Sequence, residues 1–180
     1  MKNLTPIERG QQKKRDYRVR AYAADEHYVV LVKTVVNDNG EKSNVIEKVA
    51  HIGKIELDTM YKLCECEYID TKEVPFRLSW FDGEMCVIPA VTMVFDDEFL
   101  LNHSKPVANE LASLVYGYGQ IHDQCLCGSV MLCVTNQDGD CVPFQESEAD
   151  AVIKCLHELN NHVDSIEFIV QEPMMSYRAF

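Results

Sequence analysis

The sequence predicts an α+β fold, a mainly antiparallel sheet of hairpins with about three amphipathic helices. Three observations carry the prediction. Glycine-containing turns at 37–40, 81–84 and 137–140 each sit between two apolar or β-branched runs. Three other segments switch from period two to helical period. At 180 residues and 47% apolar, the chain is long enough to bury a core without disulfides or metal.

The elements follow in chain order. Residues 1–16 read as a flexible basic arm and 17–180 as a single domain, with a candidate sub-boundary near 96–104. Tyr17–Ala21 alternates apolar and charged residues, as a half-buried strand does. His27–Val36 is rich in β-branched residues and runs into Asn37-Asp38-Asn39-Gly40. Asn-Gly predicts a two-residue hairpin with positive φ at both turn positions, and 44–52 returns as the partner. Leu57, Met60, Tyr61, Cys64 and Tyr68 form one helical stripe over 56–68. Val74–Trp80 and Met85–Phe95 read as strands around Phe81-Asp82-Gly83-Glu84. The nearly continuous apolar run of the second predicts a central strand covered on both faces.

Ser104 and Pro106 mark a helix start, with Val107, Ala108, Leu111, Leu114, Val115 and Tyr118 on one face and an end at Gly117 or Gly119. Ser129–Thr135 is a strand turned back by Gln137-Asp138-Gly139-Asp140 into Cys141-Val142-Pro143-Phe144. Ser147 with Asp150 resembles a weak capping box before a helix carrying Ala149, Val152, Ile153, Leu156 and Leu159, ended by Asn160-Asn161. A short strand over 165–170 closes the pattern. No matching residues mark an internal repeat.

The net charge of −12 is unevenly spread. Residues 1–20 carry seven basic groups against Glu8 and Asp16; residues 96–180 carry Lys105, Lys154 and Arg178 against fourteen acids. An acidic body of this kind repels nucleic acid and membrane surfaces and attracts basic protein surfaces. The candidate binding residues are Asp96, Asp97, Glu98, Glu146 and Glu148, with Lys13, Lys14 and Arg15 in the arm. The arm, together with Tyr17 and Tyr22, is the one nucleic-acid-like feature, suited to phosphate contact and stacking. Contact with the chain's own acidic surface, or with that surface on a second copy, explains it more simply. The N-terminus lacks an apolar signal segment. Eight cysteines without scaffold spacing then suggest free thiols in a cytoplasmic protein.

Chemistry-bearing residues gather in His122-Asp123-Gln124-Cys125-Leu126-Cys127. A zinc centre would use His122, Cys125, Cys127 and Cys133 (or Cys141), although the cysteines lack the usual C-x2-C spacing. A thiol enzyme would use Cys125 or Cys127 with His122 as base, but the scarcity of nearby Lys and Arg opposes a stabilised thiolate. A polar loop entering a strand accounts for the same residues. Cys64 and Cys66, expected in one helix, would point about 200° apart and share no metal. Asn136-Gln137-Asp138-Gly139-Asp140 opens like a calcium loop, but position six is Cys141 rather than glycine and position twelve is Ser147 rather than glutamate. His157 and His162 flank the end of the last helix, where the dipole favours them. No nucleotide-binding, nucleophile-elbow or metalloprotease motif is present. The expected function is therefore binding: a regulator, inhibitor or accessory subunit acting through its acidic half, with nucleic-acid charge mimicry one form of it. A metal- or thiol-dependent enzyme and a single-strand nucleic-acid binder are the alternatives.

Overall fold

A computed structural model describes residues 27–74, 91–98, 107–117 and 125–163. They form a mainly antiparallel seven-stranded sheet with three helices, the predicted α+β class. The strands are β1 (His27–Val36), β2 (Lys42–His51), β3 (Ile69–Val74), β4 (Val91–Asp96), β5 (Val130–Thr135), β6 (Cys141–Val142) and β7 (Phe144–Gln145). The helices are α1 (Leu57–Cys64), α2 (Glu110–Tyr116) and α3 (Glu146–Val163). The sheet order is β2-β1-β5-β4-β3, with β6 paired to β5 and β7 to β1. Pro143 separates β6 from β7, so one returning segment leaves β5 and joins β1. The expected strands at 17–21 and 165–170 and the turn at 81–84 lie outside the described residues.

Alternation builds two cores. Val130, Leu132 and Val134 of β5 face one way, with Val30, Val32, Met93 and Phe95, and pack under α2 and α3. Met131 and Cys133 face the other way, with Val29, Leu31 and Val94, and pack under α1. β4 is buried at every residue and lies between β5 and β3, so the prediction of a central, doubly covered strand holds. Phe95 adds an edge-on contact to Tyr116 at 5.6 Å between ring centroids.

The two hairpin turns share one chemistry that the sequence reading missed. In each, an asparagine side chain accepts from the backbone N–H groups two and four residues on: Asn37 from Asn39 and Glu41, Asn136 from Asp138 and Asp140. Gly40 and Gly139 alone carry positive φ there, +82° and +86°. The first turn is therefore not a two-residue type I′ hairpin, but a longer loop closed by a left-handed glycine. The Asn136 side chain is buried whereas Asn37 is exposed. Asn136→Ala is expected to cost about 2 kcal/mol of unfolding free energy and Asn37→Ala about 1 or less, measured by urea denaturation.

All three helix boundaries depart from expectation. α1 ends at Cys64 because Glu65 takes the left-handed conformation (φ 57°) and Cys66 N–H returns to the Tyr61 carbonyl. The chain then turns over 65–68, where a continued helix was expected, and enters β3 ahead of the strand expected from Val74. α2 begins at Glu110, since Ala108 is bridged to Cys127 and Asn109 caps the helix. Ser104 and Pro106 lie outside the described residues. α3 begins at Glu146, and its cap is Glu148, whose carboxylate accepts the Gln145 N–H at 3.0 Å. Asp150 instead meets Lys48 at 2.6 Å. Asn160 does not end the helix; its side-chain oxygen accepts from the Asn44 amide at 2.7 Å and ties α3 to β2. No helix among the described residues is long and apolar enough to cross a membrane.

Candidate functional site

The turn between α1 and β3 and the end of β4 meet at one corner of the sheet. β3 and β4 pair with Ile69 opposite Asp96, and the Asp97 N–H continues the ladder to the Tyr68 carbonyl at 3.2 Å. Glu67 precedes Tyr68 on one side of this contact and Glu98 follows Asp97 on the other. The left-handed Glu65 starts the same turn, so the backbone gathers Glu65, Glu67, Asp97 and Glu98 at this corner with Tyr68, a residue 53% exposed. Asp70 and Glu73 continue the acidic character along β3, and both are exposed. Lys33 approaches Glu65 at 3.9 Å but lies closer to Glu47, at 3.4 Å. Lys72 turns away, over the Tyr116 ring at 3.5 Å.

The predicted acidic residues therefore divide. Asp97 and Glu98 belong to this corner. Asp96 is only 3% exposed, and its carboxylate accepts the Glu98 N–H at 2.9 Å, so it shapes the corner from within and is not part of an open acidic run. Glu146 pairs with Lys48 at 3.3 Å and Glu148 caps α3. Those two carboxylates are engaged in holding α3 to the sheet. Glu65, Glu67 and Tyr68 were missed because they fell inside an expected helix. The Glu65-Cys66-Glu67 alternation after a helical stripe was the available signal. Lys13, Lys14, Arg15 and His122 lie outside the described residues.

All seven described cysteines are free, and six of them meet in pairs. Cys125 and Cys127 lie together in a small buried cluster with Ala108, and the Cys125 thiol donates to the Leu126 carbonyl at 3.6 Å. Cys133 does not join them as a zinc set. It faces the α1 side of the sheet with Cys141, and no group of three or more metal-ligating side chains forms among the described residues. The neighbouring Cys127 thiol lowers the Cys125 pKa, against its burial and the Glu110 charge, helped by Ser113 and by the Lys42 charge. The expected absence of a positive neighbour is thus corrected: β2 supplies Lys42 from the other half of the chain, where it also meets Glu110 at 3.8 Å.

Cys64 and Cys66 also differ from expectation. Cys66 lies beyond the helix end, and the Cys64 thiol donates to the Val94 carbonyl at 3.5 Å. Burial pushes Cys64 up to about 12 and Cys66 up to about 11. The Asn136 oxygen is occupied by its own turn, consistent with a hairpin in place of a calcium loop. His157 is exposed on α3, and the His162 side chain lies outside the described residues. Comparison with protein-family models, with curated proteins and with solved structures finds no match to this chain.

Proposed function

We propose that this protein is a non-catalytic binding module, a regulator, inhibitor or accessory subunit, that engages a basic protein surface through the acidic corner at β3 and β4. The observation that carries the reading is the β3–β4 corner itself, where exposed Tyr68 lies opposite Asp97 and shares its turn with exposed Glu65 and Glu67. An exposed aromatic side chain at an acidic corner suits a Lys- or Arg-bearing segment. The ring gives stacking and apolar area, and the charges steer approach. Spaced carboxylates of this kind also imitate a run of phosphates, which is how a nucleic-acid charge mimic meets a basic partner. Glutamate stands at a left-handed position where glycine is usual, which sets its carboxylate at this turn at some backbone cost. A reducing cytoplasmic setting accords with the seven cysteines among the described residues being free.

The test is fluorescence anisotropy with a labelled arginine-rich peptide, using the full chain. The wild type binds with an affinity that falls as salt rises. Glu65→Gln, Glu67→Gln, Asp97→Asn and Glu98→Gln together weaken binding by about tenfold or more at low salt, given roughly 0.3–0.5 kcal/mol for each rim charge. The control triple Glu146→Gln, Asp150→Asn and Glu158→Gln changes it little. Salt-insensitive binding, or equal loss in the control, contradicts the reading.

A further inference from the structure

Among the described residues the sheet ends at β2 on one side and β3 on the other. On β3 the hydrogen-bond pattern fixes which backbone groups face outward. The Asp97 N–H meets the Tyr68 carbonyl at 3.2 Å, so these two residues form a hydrogen-bonded antiparallel pair. Such pairs alternate along a ladder. Asp70, Lys72 and Val74 therefore aim their backbone groups at β4, and Ile69, Thr71 and Glu73 aim theirs at the outer edge. The Thr71 N–H accordingly donates to the Asp70 carboxylate, at 2.7 Å, instead of to β4. Asp70, Thr71 and Glu73 are all exposed.

We propose that β3 pairs antiparallel with β3 of a second copy of this chain, about a two-fold axis at Thr71, joining two sheets into one. The strand is its own complement in that register. Thr71 faces Thr71 of the second copy, Ile69 faces Glu73, and Asp70 faces Lys72. The outward residues Ile69, Thr71 and Glu73 then exchange N–H and C=O groups across the edge. Asp70 and Lys72 fall in the intervening pairs, where opposite side chains lie closer together. Symmetry makes the Asp–Lys pair twice, and opposite charges set directly across a ladder stabilise it. On pairing, Asp70 leaves the Thr71 N–H to the carbonyl of the second copy and turns to the facing Lys72.

Both charges lie on the α2 face of the sheet, because Asp70 is opposite Phe95 and Lys72 is opposite Met93. The Tyr116 ring under Lys72, at 3.5 Å, holds the ammonium on that face. The edge at β2 offers no such match. Glu47 alternates to the opposite face from Lys42 and Lys48, so no two-fold register sets an acid against a lysine there. An axis at Glu47 or at Lys48 sets that charge against its own copy, which destabilises a ladder. Glu65 and Glu67 lie beyond the paired residues of β3, so the dimer leaves those carboxylates outside the pairing.

A pairing this short buries little surface, so the dimer is expected to dissociate with a constant of order 100 μM. Analytical ultracentrifugation of the full chain, on either side of that concentration, is expected to show a monomer–dimer equilibrium. Asp70→Lys alone and Lys72→Asp alone each set like charges opposite one another, and each is expected to weaken the dimer about tenfold or more. The double variant, Asp70→Lys with Lys72→Asp, exchanges the members of each pair and is expected to restore it. A chain that stays monomeric well above that concentration, as when another of its own segments occupies this edge, overturns the proposal. So do single variants that dimerise like the wild type, or a double variant that fails to recover. If the charge variants do not fold, Thr71→Cys decides. A hydrogen-bonded antiparallel pair holds its Cα atoms about 5.5 Å apart, within disulfide reach. Oxidised glutathione is expected to join two copies through position 71, located by mass spectrometry, whereas Glu73→Cys is expected not to join to itself at 73. No link at 71, or equal linking at 71 and 73, overturns the register.

Discussion

Asn109→Ala is expected to lower the unfolding free energy by about 4 kcal/mol, the largest loss of any single polar substitution among the described residues. The Asn109 side chain has no solvent exposure, and three bonds satisfy it. Its oxygen accepts the Ala112 N–H at 3.0 Å and caps α2. Its amide donates to the Val32 carbonyl at 2.9 Å and to the Gly128 carbonyl at 2.8 Å. One residue thus joins β1, the loop before β5 and the start of α2. Losing an N-cap costs about 1 kcal/mol, and each lost buried bond about 1 or more. Asn109→Asp keeps the cap but sets a carboxylate against two carbonyls, so it is expected to be no better than alanine. Ser113→Ala, which removes the acceptor for the Leu126 N–H at 2.9 Å, is expected to cost about half as much. Urea denaturation of the three variants checks the order. A loss of about 1 kcal/mol for Asn109→Ala would show that the cap alone matters.

Alkaline pH is expected to destabilise the fold through its buried thiols, Cys64 above all. Burial, with the Cys66 and Asp96 charges, pushes Cys64 up to about 12 from an ordinary value of 9.0. A raised folded value means that the stability it contributes is fully present below pH 9. That stability is lost as pH rises from there through about 12, because only the unfolded chain releases the proton in that window. A shift of this size corresponds to stability of order 4 kcal/mol at one site. Cys141 has the opposite sign. Its folded value of about 7 lies below 9.0, so its contribution is full above pH 9 and falls away as pH drops through 7. Melting temperatures from pH 8 to 11 are expected to fall more steeply for the wild type than for Cys64→Ala. Parallel curves for the two proteins would contradict the assignment of the loss to Cys64.

What the sequence revealed follows from where the determining interactions lie. β1 was legible at both ends, because a β-branched run met a turn signal. β4 was legible as a buried strand because its apolar run is uninterrupted. The end of α1 was hidden because a glutamate occupies the left-handed stop where glycine would have announced it, while Tyr68 happened to continue the stripe. The start of α2 was hidden because Val107 and Ala108 fit the helical face, yet Ala108 is drawn into a bridge with Cys127. The end of α3 was misplaced because Asn160, read as a stop, is held by Asn44 from a distant strand. The site was legible in part. Asp97 and Glu98 stood out as an acidic run, but their neighbours Glu65 and Glu67 are some thirty residues earlier and join them only through the β3–β4 register. The meeting of Cys133 and Cys141 in one core likewise depends on a strand register that no spacing in the sequence displays.

The central claim is that the acidic corner around Tyr68 is the binding surface. Amide hydrogen exchange on the full chain, with and without a saturating arginine-rich peptide, tests it most directly. Slowed exchange concentrated at residues 65–73 and 96–98, and absent from the exposed face of α3, is the result this account predicts. Protection confined to α3, or no protection at the β3–β4 corner while the peptide is bound, would contradict it.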